Sequence, residues 1–347
     1  MRKLLIIMIL LFSLVTPVSA MEITAPEVPE AGRELFPEEQ TTFAQDLWYI
    51  IQEAMEQQKP AILKSAGLCA GILAVGMALS ILSDTVKSGC NSIRIAETII
   101  ISFLFLSESS VLIRLGTETV QNLSQYGKLF IPVMTGALGA QGAATTSAAI
   151  YAGTVLFDSL LTGMISAFLV PLIYIYLVFS IGEAALGDKM LTGLQKNVKW
   201  LTTWALKTVI YVFTGYIAIT GVVSGTTDAT AMKATKLTLS GIVPVVGGIL
   251  SDASEAVLVS ASFLKNAAGI YGLLSFAAMI AGPFVRIGAQ YLFLKATAAL
   301  CGVIASKYTS SLVESFSSAM GLVLGMTGTS CLILMISTVC FMKGVGI

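Results

Sequence analysis

Beyond residue 60 the chain is a series of long apolar runs joined by short polar stretches. Ala61–Leu82, Ile95–Leu115, Trp200–Val223 and Ala319–Phe341 each approach the ~20 residues an α-helix needs to cross the hydrocarbon core. Ser147–Leu186 runs forty positions with only Asp158 and Glu183 charged. At ~1.5 Å per residue that exceeds one upright crossing, so two short spans or one span kinked at Pro171 are expected. Ala267–Ala281 and Ile287–Ile304 form another pair, separated by Pro283 and Arg286. Lys128–Thr146, with Gly136, Gly139 and Gly142 three apart, reads as either a short re-entrant element or a poor span. The pattern predicts an all-α, polytopic helical membrane protein with six to eight spans.

Composition agrees with that reading. The chain is 56% hydrophobic and 12% charged, against about a quarter charged in soluble domains. A polar shell so thin does not cover a soluble protein of 347 residues.

The first sixty residues follow other rules. Arg2-Lys3, the apolar Leu4–Val15 and the small residues Val18-Ser19-Ala20 have the layout of a secretory signal peptide over 1–20. Cleavage after Ala20 would place the new N-terminus outside the cytoplasm. Residues 21–60 then form an extracytoplasmic acidic segment, whose many Glu and Asp face only Arg33 and Lys59. Pro26, Pro29 and Pro37 predict an extended linker, and Phe43–Met55 a short amphipathic helix at the membrane surface. Residues 61–347 are the polytopic membrane domain.

Within that domain the four prolines after Pro60 fall into two pairs at one spacing. Pro132 and Pro244 lie 112 residues apart, as do Pro171 and Pro283. Gly136 and Gly248, and Leu138 and Leu250, share the offset. An internal duplication, with repeats about 125–190 and 237–302, explains this better than coincidence in apolar sequence. Pro/Gly-broken segments at matching places in two halves point to a binding site at mid-membrane. The candidate pathway or partner-contact residues are therefore Pro132, Gly136, Pro171, Pro244, Gly247, Gly248, Asp252, Glu255 and Pro283. Asp252 and Glu255, three apart, share one helix face. They read either as a pathway or contact site or as a polar stretch at a water-filled interface. Asp158, Glu183, Arg286 and Lys295 are further candidates, and the offset also relates Glu183 to Lys295, which permits an ion pair across the repeats.

Several chemistries are excluded. There is no histidine, so no His-based relay, ligand or triad. No P-loop, HExxH, GxSxG or Rossmann fingerprint occurs. The five cysteines lack a CxxC and sit mostly in apolar runs, as packing residues. No nucleophile–base or metal constellation is present, so the chain reads as a non-enzyme without cofactors. The basic cluster Lys189, Lys196, Lys199 and Lys207, beside Trp200 and Trp204, marks a cytoplasmic membrane edge and not a nucleic-acid surface.

VPVVGGILSDASEAVL at 243–258, LKNAAGIYGLL at 264–274 and the closing STVCFMKGVG at 337–346 resemble stage III sporulation protein AE of endospore-forming bacteria. The likeness runs through the mature membrane region, although the segment before the first span is short for the family. The resemblance implies a polytopic protein of the mother-cell membrane facing the forespore, encoded with seven companions in one operon. Its implied partners are those stage III sporulation A-operon proteins, including one resembling secretion ATPases, the forespore protein Q and the lipid bilayer. Together they would form a transenvelope channel, or feeding tube, needed for late, sigma-G-directed forespore gene expression. The alternative is a self-sufficient secondary transporter built from the repeats.

Lys87 and Arg94 flank Cys90 between the first two spans and place that loop on the cytoplasmic side. In a variant retaining only Cys90, an impermeant thiol reagent should react after the membrane is opened and not before. Labelling of intact cells would reverse the orientation.

Overall fold

The computed structural model describes residues 26–37, 42–85, 90–242 and 247–343; at 31, 82–85, 90–93, 189, 221–242, 247–261, 263 and 264 it describes helical backbone only. The described residues contain no strand. A short turn of helix, α1 (Glu30–Arg33), precedes α2 (Phe43–Thr85) and α3 (Cys90–Gly139). Then come α4 (Ala144–Met164), a π-helical turn (Ile165–Leu169), α5 (Val170–Leu186), α6 (Lys189–Ile242), α7 (Gly247–Ile304) and α8 (Lys307–Lys343). Helices dominate because a chain in lipid must satisfy every backbone donor and acceptor within itself.

Five stretches are long and apolar enough to cross a membrane among the described residues: Phe43–Ile81, Arg94–Gly139, Ala144–Leu186, Lys265–Ile304 and Lys307–Lys343. Several of the expected runs join into longer helices, and six to eight stands as an approximate count. Phe43–Met55 continues without a break into the first span, through Pro60. Lys128–Thr146 is no re-entrant element: α3 runs on through Pro132 to Gly139, and α4 starts at Ala144. The runs on either side of Pro283 form one helix, as the 58 residues of α7 show. The 50 residues of α3 extend ~75 Å, well beyond a ~30 Å hydrocarbon core.

The prolines interrupt little because the lost bond is local. Proline removes one N–H and crowds the carbonyl four residues back, and the rest of a long helix keeps its ladder. Pro171 is the exception. Just before it the helix widens, with the Val170 N–H bonding the Ile165 carbonyl five residues back. That π turn makes room for the ring at the carbonyl of Ala167.

Contacts between helices give their directions. Gln58 lies against Gly282, and Ala305 and Thr309 against Gly76, so α2 and α7 run parallel. Ser124 meets Asp158, and Arg94 meets Ala185 and Leu186, so α3 runs against α4 and α5. Glu97 meets Thr309, while Val323 and Leu334 abut Gly116 and Gly127, so α8 runs with α3. At the end of α5, Gly187 adopts φ 72°, the left-handed conformation that glycine tolerates without strain. The chain there turns back into α6.

One hydrophobic core links α2 through α8, with Phe105, Phe130, Phe213, Phe276 and Phe316 fully buried. A smaller cluster joins Leu35, Ile50, Ala54, Leu274, Ala277 and Ala278. Its presence corrects the expected extended linker. Residues 26–37 are folded onto α7, with Val28 and Leu35 buried, Phe36 5.1 Å from the Tyr271 ring and Gly32 close against Met279. The apolar side chains between the prolines outweigh the tendency of those prolines to extend the chain.

Glycine sets the closest helix approach. A Cβ on Gly272 would stand 2.0 Å from the Phe130 ring, and that ring is fully buried. Gly272→Ala should therefore cost about 1–3 kcal/mol in overpacking. A Cβ on Gly136 meets nothing within 4 Å, so Gly136→Ala should gain ~0.5–1 kcal/mol from helix propensity. Thermal unfolding of the purified variants in lipid nanodiscs checks both signs.

Candidate functional site

Of the residues singled out from the sequence, Pro132, Gly136, Pro171 and Pro283 have described surroundings, and these four are not gathered into one place. Pro132 and Gly136 lie exposed near the end of α3, and Pro171 lies exposed at the start of α5. Pro283 is half-buried within α7. Met134 of α3 reaches Gly269 of α7, about four turns before Pro283 in the same helix. The paired prolines also differ in surroundings, since Pro171 follows a π turn and Pro283 sits in uninterrupted helix. Gly247 and Gly248 open α7, and Asp252 and Glu255 follow on its second and third turns. Pro244 lies outside the described residues, as does the side-chain environment of Gly247, Gly248, Asp252 and Glu255.

The structure instead ties the helices together with polar side chains inside apolar runs. Glu108 of α3 is 9% exposed. Its carboxylate accepts a hydrogen bond from Lys64 Nζ of α2 at 3.0 Å and forms an ion pair with Arg286 Nη2 of α7 at 3.7 Å. One acid thus fastens three helices. Arg286 was a candidate from the sequence; Glu108 and Lys64 were not. An ionisable residue within the apolar run Ile95–Leu115 was the available signal.

A further acid, Glu97, and a nearby base, Arg94, follow the same logic. Glu97, 5% exposed, accepts hydrogen bonds from Thr309 Oγ1 and, at 3.4 Å, from Ser306 Oγ. Ser306 also accepts the Thr309 N–H at 3.1 Å, so the carboxylate lies at the N-terminus of α8, where the free N–H groups favour negative charge. Arg94, one turn before Glu97, donates to the carbonyls of Ala185 and Leu186 at 3.2 and 3.3 Å. It complements the C-terminus of α5 in the same way.

Glu183 and Lys295 do not pair with each other. Lys295 pairs with Glu314, and Glu183 accepts from Ser311 Oγ at 3.3 Å. Both partners lie on α8, one turn apart, because α8 stands between α5 and α7. Beside them Gln195 of α6 donates to Ser180 of α5 and, at 2.9 Å, to Ser315 of α8. Lys199, from the predicted cytoplasmic cluster, donates to Ser318 at 2.9 Å.

Among the described residues no group of three or more His, Cys, Asp or Glu is placed to hold a metal ion. The arrangement is chemically suited to joining helices and to neutralising buried charge.

The sequence model of stage III sporulation protein AE matches residues 38–345. The chain belongs to the stage III sporulation protein AE family. A relative of that name from Bacillus subtilis (strain 168) is 26% identical over 202 residues, covering 58% of this chain and 50% of the relative. The matched part thus spans about half the length of that relative. No solved structure matches the chain. In this family member the link made by Glu108 joins the first long helix to the rest of the bundle.

Removing Glu108 strands the guanidinium of Arg286, whose side chain is 29% exposed. Breaking a buried pair costs about 3–5 kcal/mol. Lys64 is mostly exposed, which reduces its share, so Glu108→Ala should lose about 1–3 kcal/mol. A double-mutant cycle with Arg286→Met should give a coupling of at least ~0.5 kcal/mol. Additivity would show that the pair does not hold α3 to α7.

Proposed function

We propose that the chain is a non-enzymatic membrane subunit of the sporulation transenvelope channel complex, required for late forespore gene expression. The observation that carries this reading is the family match over 38–345, on a chain with five stretches among the described residues that are long and apolar enough to span a membrane. Its partners in this reading are the other stage III sporulation A-operon proteins, with an ATPase among them, and the forespore protein Q. The chain sits in the mother-cell membrane facing the forespore, with the acidic segment outside the cytoplasm.

The architecture supports an assembly role. The bundle is fastened internally by Glu108, Glu97 and Gln195, and large apolar side chains such as Leu63, Phe103 and Val303 remain on its outer surface. Gly67 and Gly71 of α2 have no neighbour within 4 Å, so their small-xxx-small face is not used inside the bundle. The nucleotide-driven work of such a complex falls to the ATPase, since this chain has no P-loop.

The transporter reading keeps one specific observation in its favour, the polar atoms buried without partners inside the bundle, such as both amide atoms of Gln290. The readings separate on whether the purified chain alone moves a solute across liposomes.

Clean deletion of the gene should leave engulfment complete and abolish late forespore gene expression. Fluorescence reporters of forespore transcription and counts of heat-resistant spores measure both. Normal spore yield would overturn the channel reading.

A further inference from the structure

On α4, Thr154, Asp158 and Thr162 are spaced four apart, so their side chains line one face. Thr154 donates to Ser337 of α8 at 2.7 Å. Asp158 is 3% exposed, and its Oδ2 accepts Ser124 Oγ of α3 at 2.6 Å. Asp158 Oδ1 has no partner, and neither has the buried Oγ1 of Thr162 one turn further on. Among the described residues no Lys or Arg lies within ion-pair distance of this carboxylate. It differs in this from Glu108, which has two cations.

A buried carboxylate with neither a cation nor a full set of donors is too costly to leave charged. An apolar replacement would pack there without that cost, so the group needs a neutralising ligand. We propose that Asp158, with Ser124 and Thr162, binds a monovalent cation, either a proton or a small metal ion such as sodium. The oxygen-only set suits a hard cation, and one carboxylate balances one positive charge. With a cation bound, the free Oδ1 is satisfied and α4 is held against α3.

The surroundings leave the site to Asp158. On α3, Lys128 lies one turn beyond Ser124 and is exposed. From α6, Tyr216 uses its hydroxyl on the Ala149 carbonyl at 2.8 Å, and Phe213 packs on Phe157. From α8 the polar group bonded to α4 is Ser337, on Thr154. The π turn that follows α4 carries no titratable side chain.

The test uses the full chain in lipid nanodiscs and reads the thermal unfolding midpoint. At fixed pH, sodium is compared with N-methylglucamine; in N-methylglucamine alone, the pH is then varied. A midpoint raised by sodium identifies the metal ion. A midpoint raised by acid and indifferent to sodium identifies the proton. Asp158→Asn needs no cation, so it should lose the response and unfold near the cation-saturated wild-type midpoint. Thr162→Val should weaken a sodium response and leave a proton response intact. Because Glu97 and Glu108 are buried too, only the part of the response lost in Asp158→Asn belongs to this site. A wild-type midpoint indifferent to both cations overturns the proposal, as does an Asp158→Asn protein that keeps the full response. The wild-type titration needs no variant to fold, and its outcome is independent of any role in sporulation.

Discussion

Helices in lipid gain nothing from hiding apolar surface from one another, because lipid tails are equally apolar; they associate through close packing and hydrogen bonds. In this bundle α8 meets that constraint. It packs against α3, α4, α5, α6 and α7, and it is rich in small and hydroxyl residues. Thr327, Thr329, Ser337 and Thr338 turn their hydroxyls onto carbonyls three or four residues back in their own helix. They take little room and expose little polarity, so neighbouring backbones come near. Where α8 reaches outward it does so with single polar groups: Ser317 to the Tyr291 carbonyl, Ser315 to Gln195, Ser337 to Thr154.

Charge is placed on the same frame. Three buried acids are compensated by different means: Glu108 by two cations, Glu97 by hydroxyls at a helix N-terminus, Asp158 by one serine. The first two complete structural joints between helices. The third is incomplete, and it lies between α3 and α4 in the interior.

The N-terminal segment adds a second layer outside the long helices. Tyr126 donates to the Pro26 carbonyl at 3.4 Å, and its ring meets Phe276 edge-on at 5.3 Å. The same α7 stretch receives Leu35 and Phe36 on one side and α2 on another. The acidic residues of this segment are mostly exposed, as the Glu27–Arg33 pair illustrates. The segment is therefore held by its apolar residues while its charges face outward.

The helical membrane character of the chain was legible in the order of residues alone, because apolar length and scarcity of charge are local properties. So was the cost attached to Asp158 inside an apolar run and to Arg286 between two of them. The tertiary structure decided which of these charges met a partner. Glu183 and Lys295, matched by spacing in the sequence, each turned to α8, since a periodic offset says nothing about which helix lies between two others. The prolines were read as breaks, yet Pro132 and Pro283 lie within continuous helix, because a single missing hydrogen bond is absorbed over a length of fifty residues or more. The partnership of Lys64, Glu108 and Arg286 spans residues far apart in the chain. No local pattern encodes it, because it depends on how three long helices pack.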